Sequence, residues 1–143
     1  MAEGALPPPY TGGCFCGAVR YRLSAAPKAP RSCHCSQCRK AFSAQASAYA
    51  LVDPDDFVWT AGEHLLTDYV GRHGAGKRFC RICGSTLCGI VDGVVHGITL
   101  GCLDQQPELD DLVHIFVGSK AVWERLPDGV RCFAAAPDDG TIL

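Results

Sequence analysis

The sequence has no long hydrophobic run and no excess of one charge sign. No apolar run approaches the roughly 20 residues that a membrane-spanning helix needs. Thirteen Lys and Arg against 15 Asp and Glu give a net charge of −2, and this near balance disfavours nucleic acid and anionic membranes as partners. The content of 48% hydrophobic and 20% charged residues is ordinary for a globular protein. We therefore expect 143 residues to form one folded domain that binds neither nucleic acid nor a membrane.

The first residues lack the basic start and apolar stretch of a secretory signal peptide. Residues 1–11 are rich in proline and include Glu3, so we expect a flexible N-terminal arm there. A single domain is predicted for residues 12–135, and a C-terminal tail for residues 136–143. Without a secretory signal the predicted location is the cytoplasm, where thiols stay reduced.

Hydrophobic periodicity predicts a mainly β fold. Val19, Tyr21 and Leu23 alternate with arginines, which is the period of a half-buried strand. Further extended segments are predicted at residues 44–52, 57–60, 65–70 and 112–117. The Asp92-Gly93 pair between two apolar dipeptides is typical of a two-residue hairpin turn. One short helix is predicted over residues 119–126.

Cysteine is the residue type that stands out, with ten in the chain. An even number permits a disulfide framework, and reactive or redox thiols are a second possibility. The spacing favours metal binding instead, because thiols one or two residues apart converge easily on one cation. Seven cysteines lie in three clusters: Cys14 and Cys16; Cys33, Cys35 and Cys38; Cys80 and Cys83.

Two of these clusters predict a closed metal site. Cys14 and Cys16 lie among glycines that let the backbone curl, and Cys80 and Cys83 form a Cys-x-x-Cys turn followed by Gly84. Each pair supplies half of a tetrahedral four-thiolate zinc site, which is the structural type.

The remaining cluster offers three thiolates from one short loop. Three protein ligands and an open fourth position are the pattern of catalytic zinc, so Cys33, Cys35 and Cys38 are the candidate catalytic residues. The open position can take water or an incoming thiol. The alternative is a closed, structural site completed by a fourth residue: Cys88, Cys102 or His34.

Four motifs in order carry a resemblance to a known family. They are Gly13-Cys-Phe-Cys-Gly-Ala-Val-Arg-Tyr21, Cys33-His-Cys-Ser-Gln-Cys-Arg39, Phe79-Cys-Arg-Ile-Cys-Gly-Ser85 and His114-Ile-Phe-Val-Gly-Ser-Lys-Ala-Val-Trp123. Together they resemble the glutathione-dependent formaldehyde-activating enzyme family, also called the centromere protein V/Gfa domain family. The resemblance spans nearly the whole chain.

The resemblance implies an Mss4-like fold of coiled antiparallel β-sheets that holds two zinc ions. Carried over by position, Cys14, Cys16, Cys80 and Cys83 match the structural site, and Cys33, Cys35 and Cys38 match the catalytic site. The implied activity is that of a carbon–sulfur lyase, which forms or cleaves adducts of glutathione with formaldehyde. Because Mss4-like folds also serve as interaction domains, a zinc-stabilised binding module without catalytic activity is the alternative.

Overall fold

The computed structural model describes residues 6–137, which form ten β-strands and one α-helix. In chain order the elements are β1 (Tyr10–Gly13), β2 (Arg20–Leu23), β3 (Lys28–Cys33), α1 (Ser36–Phe42), β4 (Ser47–Leu51), β5 (Phe57–Ala61), β6 (Leu66–Val70), β7 (Ala75–Cys80), β8 (Thr86–Val91), β9 (Val94–Thr99) and β10 (Val113–Ile115). Single turns of 3₁₀ helix connect several of them.

The strands form two sheets. The small sheet has the order β1-β2-β5, and the large sheet has the order β10-β3-β4-β9-β8-β7-β6. Neighbouring strands are antiparallel except for β10 and β3, which run parallel. The prediction of a mainly β fold built from antiparallel sheets is therefore confirmed, with one parallel pair that the periodicity did not predict.

Both sheets contribute to one hydrophobic core. Tyr21 and Leu23 of β2 are fully buried together with Leu87 of β8 and Ile98 of β9. The Tyr21 ring stacks on Phe57 of the small sheet at a centroid distance of 5.1 Å. Packing of two sheets over a shared apolar interior is the usual way in which strands with one hydrophobic face bury it.

The predicted hairpin turn is confirmed. Strand β8 ends at Val91 and β9 begins at Val94, so Asp92 and Gly93 alone make the turn. Their φ angles are 50° and 79°. Both residues thus adopt the positive φ that a type I′ turn requires, as the Asp-Gly pair predicted.

Helix α1 begins within the second cysteine cluster and contains Cys38, where the sequence indicated only a loop. It has no buried residue, so it carries no apolar periodicity that a sequence pattern could reveal. Cys35 is its N-cap, and Ser43, with φ of 52°, ends it in the left-handed conformation.

The helix predicted over residues 119–126 is wrong. A single 3₁₀ turn at Val117–Ser119 is followed by irregular chain. The backbone N–H groups of Val117 and Gly118 donate to the carbonyls of Phe133 and Ala134. The Lys120 ammonium donates to the Glu124 carbonyl. The first two bonds hold the chain just before Ser119 against the C-terminal segment. Within the predicted helix, the Glu124 N–H donates to the Ala121 carbonyl three residues back, so this part forms a single turn instead of a helix.

The first strand begins two residues before the predicted start of the domain. Strand β1 begins at Tyr10, and that side chain is buried, so residues 10 and 11 belong to the small sheet rather than to a flexible arm. Residues 1–5 of the predicted arm and residues 138–143 of the predicted tail lie outside the described residues. Within residues 6–137 there is no helix that has both the length and the apolar content to cross a membrane.

We expect Gly12→Ala to destabilise the protein, because β1 passes very close to the buried Tyr21 ring. A Cβ at position 12 would lie 2.4 Å from the ring and 2.7 Å from the Cys102 carbonyl oxygen. Overpacking of this kind costs about 1–3 kcal/mol. Urea unfolding of metal-replete protein measures the loss. Gly101→Ala is the matched control, since a Cβ there meets nothing within 4 Å; equal stability of the two variants would contradict this reading.

Candidate metal centres

The first cysteine centre lies where the two sheets meet. Cys14 and Cys16 follow β1, Cys80 ends β7, and Cys83 lies in the turn before β8. Their four sulfur atoms lie within 4.8 Å of one another. The Sγ atoms of Cys14 and Cys16 are 3.5 Å apart, and those of Cys16 and Cys80 are 3.9 Å apart. Tetrahedral zinc with Zn–S bonds of about 2.3 Å requires sulfur atoms about 3.8 Å apart, so this arrangement fits the ion.

Two glycine-containing turns position these sulfur atoms. Gly17, with φ of 81°, donates its N–H to the Cys14 carbonyl, and Gly84, with φ of 79°, donates to the Cys80 carbonyl. Positive φ at these positions closes each turn tightly, and glycine adopts it without steric cost. The glycines that the sequence analysis associated with these cysteines therefore shape both halves of the centre.

Hydrogen bonds to sulfur favour the thiolate form at this centre. The Val19 N–H donates to Cys14 Sγ at 3.3 Å. The Ser85 hydroxyl lies 3.4 Å from Cys83 Sγ and accepts the Phe15 N–H at 2.9 Å. Burial opposes ionisation of Cys83, but hydrogen bonds from the Ser85 hydroxyl and backbone outweigh it and lower the pKa of the thiol to about 5. A thiol with this pKa is a ready metal ligand at neutral pH.

The second cysteine centre lies at the junction of β3 and α1. Cys33 is the last residue of β3, Cys35 caps α1, and Cys38 lies in the first turn of the helix. The three sulfur atoms lie within 4.8 Å of one another. The Cys38 N–H donates to Cys35 Sγ at 3.3 Å. Cys33 is buried while the other two are half-buried, so the centre is open to solvent on one side.

The pKa values of the Cys33 and Cys38 thiols are shifted in opposite directions. The Cys33 thiol lowers the pKa of the Cys38 thiol to about 6, against the effect of burial. The pKa of Cys33 is raised in turn by Cys38 and by burial. One negative charge is therefore favoured before any ion binds, and a cation is needed to stabilise three thiolates together.

Among residues 6–137, no further His, Cys, Asp or Glu donor atom lies within 4.8 Å of all three sulfur atoms of the second centre. Cys88 lies in the hydrophobic core, where burial raises the pKa of its thiol to about 12. The Cys102 thiol donates to the Thr86 carbonyl at 3.5 Å. Cys88 and Cys102, two of the three candidates for the fourth ligand, therefore lie in other environments. The third candidate, His34, contacts His114.

His34 connects the second centre to strand β10. Its side chain is 1% exposed, and its Nε2 lies 3.0 Å from Nδ1 of His114. Its backbone N–H donates to the Ile115 carbonyl. Burial, with a smaller effect of His114, lowers the pKa of His34, which favours the neutral ring. The sequence places two histidines 80 residues apart, and only the parallel β3–β10 pairing brings them into contact.

Two residues near the second centre were missed by the sequence analysis. Ser47 lies opposite Cys33 and Tyr49 lies opposite Arg31 in the β3–β4 ladder. Since alternate residues of a strand share a face, all four lie on one side of the sheet. Burial, reinforced by the charge of Cys33, raises the pKa of Tyr49, so its phenol keeps its proton. The strand at residues 44–52 was predicted, but its register against β3 was not.

A groove of about 800 Å³ lies at the β10 edge of the large sheet, and its lining includes Arg31, two residues before Cys33. It is lined by residues 29–31, residues 110–114 and residues 128–131. His114 belongs to this lining and also contacts His34. Charged side chains of both signs face the groove: Asp110, Asp111, Asp128, Arg31 and Arg131.

Comparison with known proteins identifies relatives over most of the chain. A family model described as glutathione-dependent formaldehyde-activating enzyme matches residues 9–119. A protein of Halomonas elongata, provisionally named a glutathione-dependent formaldehyde-activating enzyme, is 32% identical over 142 residues, covering 90% of this chain and 88% of that protein. A crystal structure of a Rhodobacter sphaeroides protein has a TM-score of 0.51 and 28% identity, covering 66% of this chain and 87% of that one.

We expect Cys80→Ser to destabilise the protein by more than about 4 kcal/mol, because loss of a metal is among the severe destabilising mechanisms. Cys80 is fully buried where the two sheets meet, so its loss weakens the connection between them. Thermal unfolding and elemental analysis measure the effect, with two zinc ions per chain expected before the substitution and one after. Cys132→Ser, at an exposed cysteine outside both centres, serves as control. An unchanged melting curve for Cys80→Ser would show that the four-cysteine centre is not structural.

Proposed function

Because the chain belongs to the glutathione-dependent formaldehyde-activating enzyme family, we propose that it is a zinc-dependent carbon–sulfur lyase-like enzyme. It forms or cleaves the adduct of a small thiol, such as glutathione, with an aldehyde, such as formaldehyde. The reaction centre is the zinc site of Cys33, Cys35 and Cys38. A second zinc ion at Cys14, Cys16, Cys80 and Cys83 serves structure.

The observation that carries this proposal is a three-thiol centre with an accessible side. Cys35 and Cys38 are half-buried, and no fourth protein ligand lies with them among the described residues. Three protein ligands with a free position are typical of catalytic zinc. The four-cysteine centre has its full tetrahedral set within the chain, which suits a structural ion.

The chemistry needs an activated thiol and a stabilised oxygen. Zinc bound at the three-cysteine centre would lower the pKa of a thiol in its free position, as it does for water. The substrate sulfur, having lost its proton, attacks the aldehyde carbon and forms the carbon–sulfur bond. The carbonyl π pair moves to oxygen, which takes up a proton and becomes the hydroxyl of the product. Cleavage is the same sequence in reverse.

Tyr49 is the proposed donor to the developing oxyanion. It lies on the same face of the sheet as Cys33, and its pKa responds to both Cys33 and Cys38. Burial keeps the phenol protonated, so an O–H hydrogen is available. A donor held in place before reaction stabilises developing negative charge without reorganisation.

The groove at the β10 edge suits the body of a peptide thiol. Its volume of about 800 Å³ lies within the usual range for small-molecule sites. Glutathione carries two carboxylates and one ammonium, and the groove presents Arg31 and Arg131 together with three aspartates. We place the enzyme in the cytoplasm, since reduced cysteines at both centres need a reducing compartment.

A zinc-stabilised binding module is the second candidate function. The observation in its favour is that several large apolar side chains lie exposed, among them Phe15, Ile82 and Trp123. Where exposed apolar side chains form a contiguous patch, the patch often marks an interaction surface. A module of this kind would hold its metal ions without responding to small thiols, and this difference separates the two functions.

We expect cobalt-substituted protein to change its thiolate–cobalt absorption when millimolar glutathione is added, because the thiol enters the free position. Cys35→Ser should stay folded, hold one metal ion instead of two, and lose this response. The reason is that Cys33 and Cys38 are only five residues apart, so their ion closes little chain. Cys132→Ser should respond like the unmodified protein. A wild-type spectrum that is insensitive to glutathione would favour the binding module.

We expect Tyr49→Phe to reduce kcat about 10²-fold, the usual effect of losing one oxyanion donor. The KM for the thiol and the glutathione-induced cobalt spectrum should change little, because the phenol acts on the aldehyde oxygen. Steady-state assays of adduct formation measure both constants. Tyr69→Phe is the matched control, since Tyr69 is exposed on β6. If the two variants have the same kcat, Tyr49 is not the donor.

A further inference from the structure

The Ser47 hydroxyl is a buried polar group that the protein leaves without a hydrogen-bond partner. Ser47 is 2% exposed, and its Oγ has no partner with ordinary geometry among the residues the structure describes. Buried hydroxyls are rarely left in this state, and each such group calls for an explanation, an ion site being one. The position of Ser47 supplies that explanation.

The Ser47 side chain lies on the face of the sheet that carries Cys33. Ser47 pairs with Cys33 across the β3–β4 ladder, and side chains in such pairs have Cβ atoms about 4.5–5.5 Å apart. Helix α1, which carries Cys38, packs against β4, which carries Ser47. The pairing with Cys33 and this packing together place Ser47 next to the three-cysteine centre.

The four-cysteine centre also has a serine hydroxyl next to a cysteine sulfur, and this hydroxyl has hydrogen-bond partners. The Ser85 hydroxyl lies 3.4 Å from Cys83 Sγ, and it accepts the Phe15 N–H at 2.9 Å. A hydroxyl has a single hydrogen to donate. Once Cys83 is a thiolate, the hydrogen of Ser85 has the sulfur as its acceptor.

We propose that Ser47 is a positioning residue of the catalytic metal centre, whose hydroxyl donates its hydrogen to the Cys38 thiolate when that sulfur binds the ion. The proposal rests on the proposed function, because it concerns the same centre. Hydrogen bonds to anionic sulfur are charge-assisted and stronger than neutral ones. Donation fixes the Cys38 rotamer and withdraws electron density from the sulfur. The ion then keeps more positive charge, which favours a thiolate over a neutral ligand in the free position.

Cadmium-113 NMR of the fully loaded protein tests this role without any activity measurement. Cadmium occupies thiolate sites in place of zinc, and the two centres should give two separate resonances. We expect Ser47→Ala to shift only the resonance of the three-cysteine centre and Ser85→Ala to shift only the other. Ser47→Thr, which keeps the hydroxyl, should restore the original position. Ser32→Ala is the control. It also removes a buried hydroxyl next to Cys33, but from the opposite face of β3.

Competition with a zinc-chelating dye gives a second readout. We expect Ser47→Ala to weaken zinc binding at the second centre about 10-fold, the lower range for outer hydrogen-bond partners of metal ligands, and Ser47→Thr to recover it. An unchanged resonance and unchanged affinity in Ser47→Ala would overturn the role of Ser47 while leaving the proposed function intact. A wild-type protein that binds only one ion would overturn both.

A measurement on the unmodified protein tests the proposal even if the Ser47 variants do not fold. A hydrogen bond from Ser47 to a cadmium-bound sulfur should slow exchange of the hydroxyl proton and couple it to the cadmium nucleus. Detection of that proton with cadmium coupling at low temperature supports the proposal. A freely exchanging Ser47 hydroxyl in the two-metal protein contradicts it.

Discussion

The convergence of four cysteine sulfurs at one point is the constraint on which the rest of the structure depends. Cys14 and Cys16 belong to the turn of the small sheet, whereas Cys80 and Cys83 belong to a turn of the large sheet. A metal ion held by all four would connect the two sheets across more than sixty residues of chain. In a protein of this size, binding free energy at such a site becomes folding free energy. The shared core around Tyr21 and Leu87 depends on the same alignment of the sheets.

The three-cysteine centre is built on a different principle. Its sulfurs come from one junction of strand and helix, so local geometry brings them together. Support comes from outside the motif: His114 of β10 holds His34, and β4 places Ser47 and Tyr49 on the face that carries Cys33. The four-cysteine centre joins the two sheets, while the three-cysteine centre combines cysteines from a local motif with surroundings from distant strands. This division suits one structural and one catalytic ion.

Local patterns predicted much of the fold because they act over short distances. The alternation around Tyr21 gave β2, and the Asp92-Gly93 pair gave the hairpin turn, since both depend on neighbouring residues alone. Helix α1 was not predicted because it buries no side chain. The helix predicted over residues 119–126 is absent: residues 117 and 118, just before it, bond to residues 133 and 134, and the chain beyond forms only a turn.

Cysteine spacing by itself predicted the seven residues that converge in two clusters able to hold metal ions, because thiols one or two residues apart readily approach one cation. Tertiary structure alone decided what surrounds those thiols. The partner of His34, the positions of Ser47 and Tyr49, and the absence of a fourth ligand among the described residues follow from the order and register of β10, β3 and β4. Strand β3 is not joined to β4 or to β10 by a tight turn, so no local sequence pattern fixes the register of these pairs.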